Sequence, residues 1–219
     1  MWSSSLGKCQ REGHNDRGVI PKPKQLTTSI ISNINQSMKT EITNGAVQAA
    51  REVYELLVSH FQTDEGVHVG TIVSAAARLA GTSLIRSFNF ALNDLKPGTP
   101  ILSEQANEWW PELVNILVYT LKISGVEIKQ GWASVTTPEE HLPEKDLLQI
   151  QLELQEPYTQ IMSRFALDYV QAAYAGTIAC AMIIVETQNA LDPYIACDIA
   201  TYGFIDGTKT VPIPLASSR

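Results

Sequence analysis

Residues 170 to 185, from valine to valine, form a run of 16 positions without one charged side chain. A stretch that apolar must leave water, either inside a folded core or across a bilayer. A bilayer crossing takes about 20 apolar residues, and this run is shorter and contains Gln171 and Thr177. It therefore predicts a central core helix, with no membrane involved.

A second segment shares the character of the first. Ala77-Arg78-Leu79-Ala80-Gly81-Thr82 and Ala172-Ala173-Tyr174-Ala175-Gly176-Thr177 both place small residues at helical spacing. Glycine inside a helix costs about 1 kcal/mol relative to alanine, so two such glycines require compensation. Close approach supplies it: a stripe free of side-chain bulk lets helix axes come within roughly 8 Å. These segments are expected to be the two central helices, crossing at Gly81 and Gly176. The competing use of the missing bulk is a pocket between them for a small apolar ligand. A six-residue match is too short to imply an internal duplication.

Around this pair the chain reads as all-α. From about Asn44, apolar residues at Ala46, Ala49, Ala50, Val53, Tyr54, Leu57, Val58 and Phe61 follow the helical period. Thr63-Asp64-Glu65-Gly66 offers caps for a helix from about Val67 to Phe90. A third helix starts near Ser103 and must kink or truly begin at Pro111, because proline lacks the amide donor. Thr137-Pro138-Glu139-Glu140 reads as a short helical start, followed by a helix over 144–155, a pause at Pro157, a long helix over 158–189, and a last one from Asp192 to Gly203. Residues 126–135 are the best strand candidate, and Ile205-Asp206-Gly207-Thr208 signals a small hairpin turn beside it. The architecture expected is one domain of five to seven helices over 38–219, preceded by an extended arm over 1–37.

Composition narrows the functions. With 16 Lys and Arg against 23 Asp and Glu, net charge is -7 and no basic cluster stands out, which removes the usual basis for holding nucleic acid. Only 18% of residues are charged, so helix surface is left over for a second copy, and a homo-oligomer, a dimer first, is expected. The N-terminal residues MWSSSLGKCQREGHND hold no continuous apolar segment of the secretory type, which predicts a cytoplasmic protein. Cys9, Cys180 and Cys197 are odd in number and widely spaced, and read as free thiols rather than a disulfide framework.

Chemistry-bearing residues are few. Arg86 in Leu84-Ile85-Arg86-Ser87-Phe88 and Asp168 in Phe165-Ala166-Leu167-Asp168-Tyr169 lie within apolar runs. A buried charge persists only when paired, so they are expected to form an ion pair and to orient any ligand at the seam. Arg78 and Glu186 read as members of a solvated face. Trp109-Trp110 form the densest aromatic feature; adjacent indoles on a helix point about 100° apart, so one is expected inside and the other at an interface or ligand. Glu65 and His68 have the Glu-x-x-His spacing of a metal site and His60 lies one turn away, but four histidines allow no second copy of that motif. Gly-x-Ser-x-Gly, phosphate-loop, dinucleotide and Cys-x-x-Cys signatures are absent, and no cofactor is implied. The leading expectation is a non-catalytic protein that self-associates or binds a partner; a small apolar ligand comes second and a metal-dependent enzyme last.

Overall fold

The structure is a computed structural model that describes residues 17–18, 41–92, 94–128 and 137–215. Six α-helices carry the fold: α1 (Asn44–Phe61), α2 (Val69–Ser87), α3 (Glu104–Ile123), α4 (Leu147–Arg164), α5 (Tyr169–Thr187) and α6 (Pro193–Thr208). A pair of two-residue strands, β1 (Arg17–Gly18) and β2 (Val67–His68), runs antiparallel. The all-α bundle expected from the sequence is what forms. Of the arm over 1–37, β1 alone lies among the described residues. Strand candidate 126–135 has no strand over 126–128, and its remainder lies outside them.

Side-chain caps start the helices. Thr43 accepts from the amide of Ala46 at 3.2 Å, Ser103 from Ala106 at 3.3 Å, and Asp146 and Gln149 form a reciprocal capping box. α2 is capped by His68, whose ring accepts from the Thr71 amide. Thr63–Gly66 instead closes a turn on itself through two backbone bonds of 3.1 Å.

One core runs through all six helices. α2 and α5 are its centre, and every described residue of α2 from Val69 to Ile85 except Arg78 is buried. By length and composition α5 would span a membrane, but 83% of that stretch is buried inside the fold. The glycine seam differs from the expected one. Gly176 of α5 does meet α2, where an added Cβ would stand 3.0 Å from the Ala80 Cβ. Gly81 turns the other way: a Cβ there would lie 2.6 Å from the Phe204 carbonyl oxygen and 2.9 Å from the Thr208 nitrogen of α6. Gly203 and Gly207, one turn apart on α6, complete this contact against Ala77, Arg78 and Gly81.

Gly203 therefore does not end the last helix, and the hairpin expected at 205–208 is helix. Backbone-to-backbone packing outweighs the local preference of Asp-Gly for a turn. The long helix expected over 158–189 is also divided differently. α4 passes through Pro157, and the break comes at Phe165–Asp168. There Ala166 takes a left-handed φ of 49°, and the amide of Leu167 reaches back to the Met162 carbonyl at 3.0 Å, closing the helix end.

Candidate functional site

The central seam is closely packed at its glycines. The positions opposite Gly81, Gly176, Gly203 and Gly207 are filled by neighbouring helices at 2.5–3.0 Å from where a Cβ would sit. Small residues here serve helix contact, and at these four positions neighbouring helices take the space that the expected ligand pocket would use.

Arg86 and Asp168 do not pair. Asp168 is exposed and caps α5, accepting from the Gln171 amide at 2.8 Å. Arg86, in the last turn of α2, donates Nη2 to the Ile213 carbonyl at 2.5 Å. Among the described residues its Nε is buried without an acceptor, and no carboxylate pairs with it. Burial pushes the guanidinium below its usual value, and nearby Tyr169 acts against that shift. Arg86 also borders a cavity of about 220 Å³ shared with Phe90, Leu95, Tyr169 and Pro214. Arg78, expected on a solvated face, is instead 15% exposed, lies 2.9 Å from Asp206 and is also bound to the Lys145 carbonyl.

Trp109 and Trp110 are both half-buried rather than split between inside and outside. Trp109 packs edge-on against Phe88, with centroids 6.3 Å apart, and Phe88 in turn contacts Phe90 at 5.5 Å. Trp109 thus connects to the Arg86 cavity through Phe88 and Phe90, and neither indole lines it.

His60 and His68 share a hollow of about 200 Å³ with Thr63, Thr71 and Lys145, as their flanking of one turn suggested. Glu65 does not line it. His68 Nδ1 accepts from the Thr71 amide, which leaves Nε2 to carry the proton and donate to the Glu140 carbonyl at 3.1 Å. Both ring nitrogens are thus spent on holding the start of α2. His60 Nε2 is 2.8 Å from Glu153, whose second oxygen is 2.5 Å from Lys145. Hydrogen bonds from Lys145 and then His60 hold the Glu153 carboxyl below the usual range. Among the described residues no three of His, Cys, Asp and Glu stand close enough to hold a metal ion, and Glu65, His68 and His60 form no such group.

A larger concavity was not anticipated. A groove of about 790 Å³ runs between α4 and the extended segment that follows α6, with Leu152, Gln155, Gln160 and Ser163 on one wall and Ile213 and Leu215 on the other. That segment is a strap tied down at successive points. Ile101 donates to the Lys209 carbonyl, Gly98 to the Val211 carbonyl and Val211 to the Thr99 carbonyl, and Ile213 donates its amide to Gln151 Oε1 at 2.8 Å. Gln151, 1% exposed, also donates to Thr82 at 2.9 Å.

One turn further along α4, Gln155 is 8% exposed. Its Nε2 contacts Thr159 Oγ1 at 3.4 Å, while its carbonyl oxygen is buried without a donor. The two glutamines occupy the buried register of α4, with Leu147, Ile150, Leu154 and Tyr158. Glutamine inside an apolar stripe was the available sequence signal. Compared with known protein families, curated proteins and solved structures, the chain matches none.

Proposed function

We propose that this is a non-catalytic partner-binding protein whose α4 groove takes an extended peptide segment. The observation that carries this reading is the donorless side-chain Oε1 of Gln155, buried beside a groove of about 790 Å³. An unpaired buried acceptor costs about 1–3 kcal/mol, and a main-chain N–H entering the groove recovers it.

The same wall already receives extended backbone: Gln151, one turn earlier, accepts the Ile213 amide. A peptide in the groove repeats that contact at the next turn. Leu152, 73% exposed, with Ile213 and Leu215 opposite, offers apolar surface for alternate side chains. From residue 152 to 163 a helix advances about 17 Å, the span of roughly five residues of extended chain. The length favours a peptide over a small molecule.

Binding of a positional library of N-acetylated, C-amidated hexapeptides, followed by fluorescence anisotropy, tests the reading. Apolar sequences are expected to bind, with N-methylation of one amide and Gln155→Leu each weakening binding about ten-fold. Uniform non-binding across the library would end it. Sedimentation of the protein alone separates a peptide partner from a second copy: concentration-dependent dimerisation lost in Gln155→Leu would assign the groove to self-association.

A further inference from the structure

A separate site lies on the opposite side of the strap, and it concerns the unneutralised charge of Arg86. A guanidinium has five donors in a planar fork. Among the described residues Arg86 uses one, on the Ile213 carbonyl, and its Nε is buried with no acceptor. Taking a cation out of water is costly unless an anion or a full set of acceptors replaces the lost hydration. Anchoring a strap carbonyl does not require that cost, since a neutral donor does the same work. The amide on the other side of Ile213 is held by such a neutral group, Gln151.

Among the described residues, the surroundings of Arg86 supply room but no counter-charge. Its cavity of about 220 Å³ is walled by Phe90, Leu92, Leu95, Pro212 and Pro214, with Tyr169 beside the guanidinium. Asp168, adjacent to Tyr169 in sequence, is exposed and engaged in capping α5. At about 30 Å³ for each water-sized group, the cavity holds a molecule of about seven non-hydrogen atoms. About half of the lining is apolar, Asn89 adds a neutral polar group, and the one charged group is a fork suited to a planar, two-oxygen anion.

We propose that the Arg86 cavity is a binding site for a small organic monocarboxylate, its carboxylate on the guanidinium and its aliphatic body against Phe90, Leu95 and Pro214. This site is independent of the α4 groove, which lies across the strap and involves none of the same side chains except Pro214.

Isothermal titration of the full chain with isovalerate and with isovaleramide tests it, because the pair matches in size and differs in charge. Isovalerate is expected to bind at least ten-fold more tightly than the amide. Arg86→Met is expected to abolish that preference and Arg86→Lys to keep part of it. Since Arg86 also holds the strap, Leu95→Trp provides a second readout, narrowing the cavity while leaving the guanidinium in place; it is expected to weaken isovalerate several-fold with an unchanged circular dichroism spectrum. Equal binding of acid and amide, or isovalerate affinity unaltered in both Arg86→Lys and Leu95→Trp, overturns the proposal. Inorganic phosphate binding at Arg86 in place of isovalerate overturns the assignment to a carboxylate.

Discussion

Ala166 holds a left-handed backbone conformation at the end of α4, where helices usually place glycine. For a residue with a Cβ this costs roughly 1–2 kcal/mol, and Ala166 is exposed, so Ala166→Gly is expected to raise stability by about 1 kcal/mol in urea unfolding. Gly81 illustrates the opposite case. A Cβ there meets the backbone of Phe204 and Thr208 under 3.0 Å, and backbone cannot swing aside, so Gly81→Ala is expected to cost about 1–3 kcal/mol. Gly45 is its control: a Cβ finds only ordinary contacts at 3.4 Å, so Gly45→Ala is expected to gain up to about 1 kcal/mol from helix propensity. Glu153 adds a pH dependence. Because Lys145 and His60 lower its value in the folded chain, its contribution is complete above the unfolded glutamate value and disappears as pH falls through the folded one. The group is about a third exposed, so Glu153→Gln is expected to lose less than about 1 kcal/mol at neutral pH and nothing in acid, as read by unfolding at several pH values.

Elements were legible in the sequence wherever one signal acted alone. Periodic apolar residues placed α1, and the uncharged run placed α5 as a core helix, because burial of that much apolar surface admits few alternatives. Boundaries failed where tertiary contact overrode local chemistry. Asp206-Gly207 stayed helical because Gly207 packs on the Arg78 carbonyl and Gly81, and Pro157 sits at a partly exposed position inside α4, where losing one amide bond is tolerated. The groove escaped notice for another reason. Its polar atoms come from Gln151 and Gln155, and only the three-dimensional register shows that one is satisfied by the strap and the other is not. Removing the first should loosen the strap: Gln151→Ala leaves the Ile213 amide and Thr82 without that partner, and is expected to cost about 1–3 kcal/mol. At the α5–α6 level, burial raises the Cys180 thiol, and burial together with Asp192 and Asp198 pushes Cys197 up to about 12. Both therefore stay neutral thiols at pH 8, and in a Cys9→Ser background neither is expected to react with a disulfide reagent before unfolding.

At the scale of the whole molecule, a solid centre and a tied strap divide the labour. The glycine seam around α2 is filled by helix contact, and the two proposed binding sites are concavities that the strap borders, one largely apolar along α4 and one cationic at Arg86. Substitutions in the seam should change stability and leave binding intact, whereas those at Gln155 or Arg86 should do the reverse for their own site. The most direct measurement is a nitrogen–proton correlation spectrum of the labelled chain titrated with the tightest hexapeptide from the library. The account predicts that the side-chain amide of Gln155 and the backbone amides of 152–163 and 213–215 shift together, with the glycines of the α2–α6 seam unmoved. Shifts centred on that seam, or on any surface away from α4 and the strap, would contradict it.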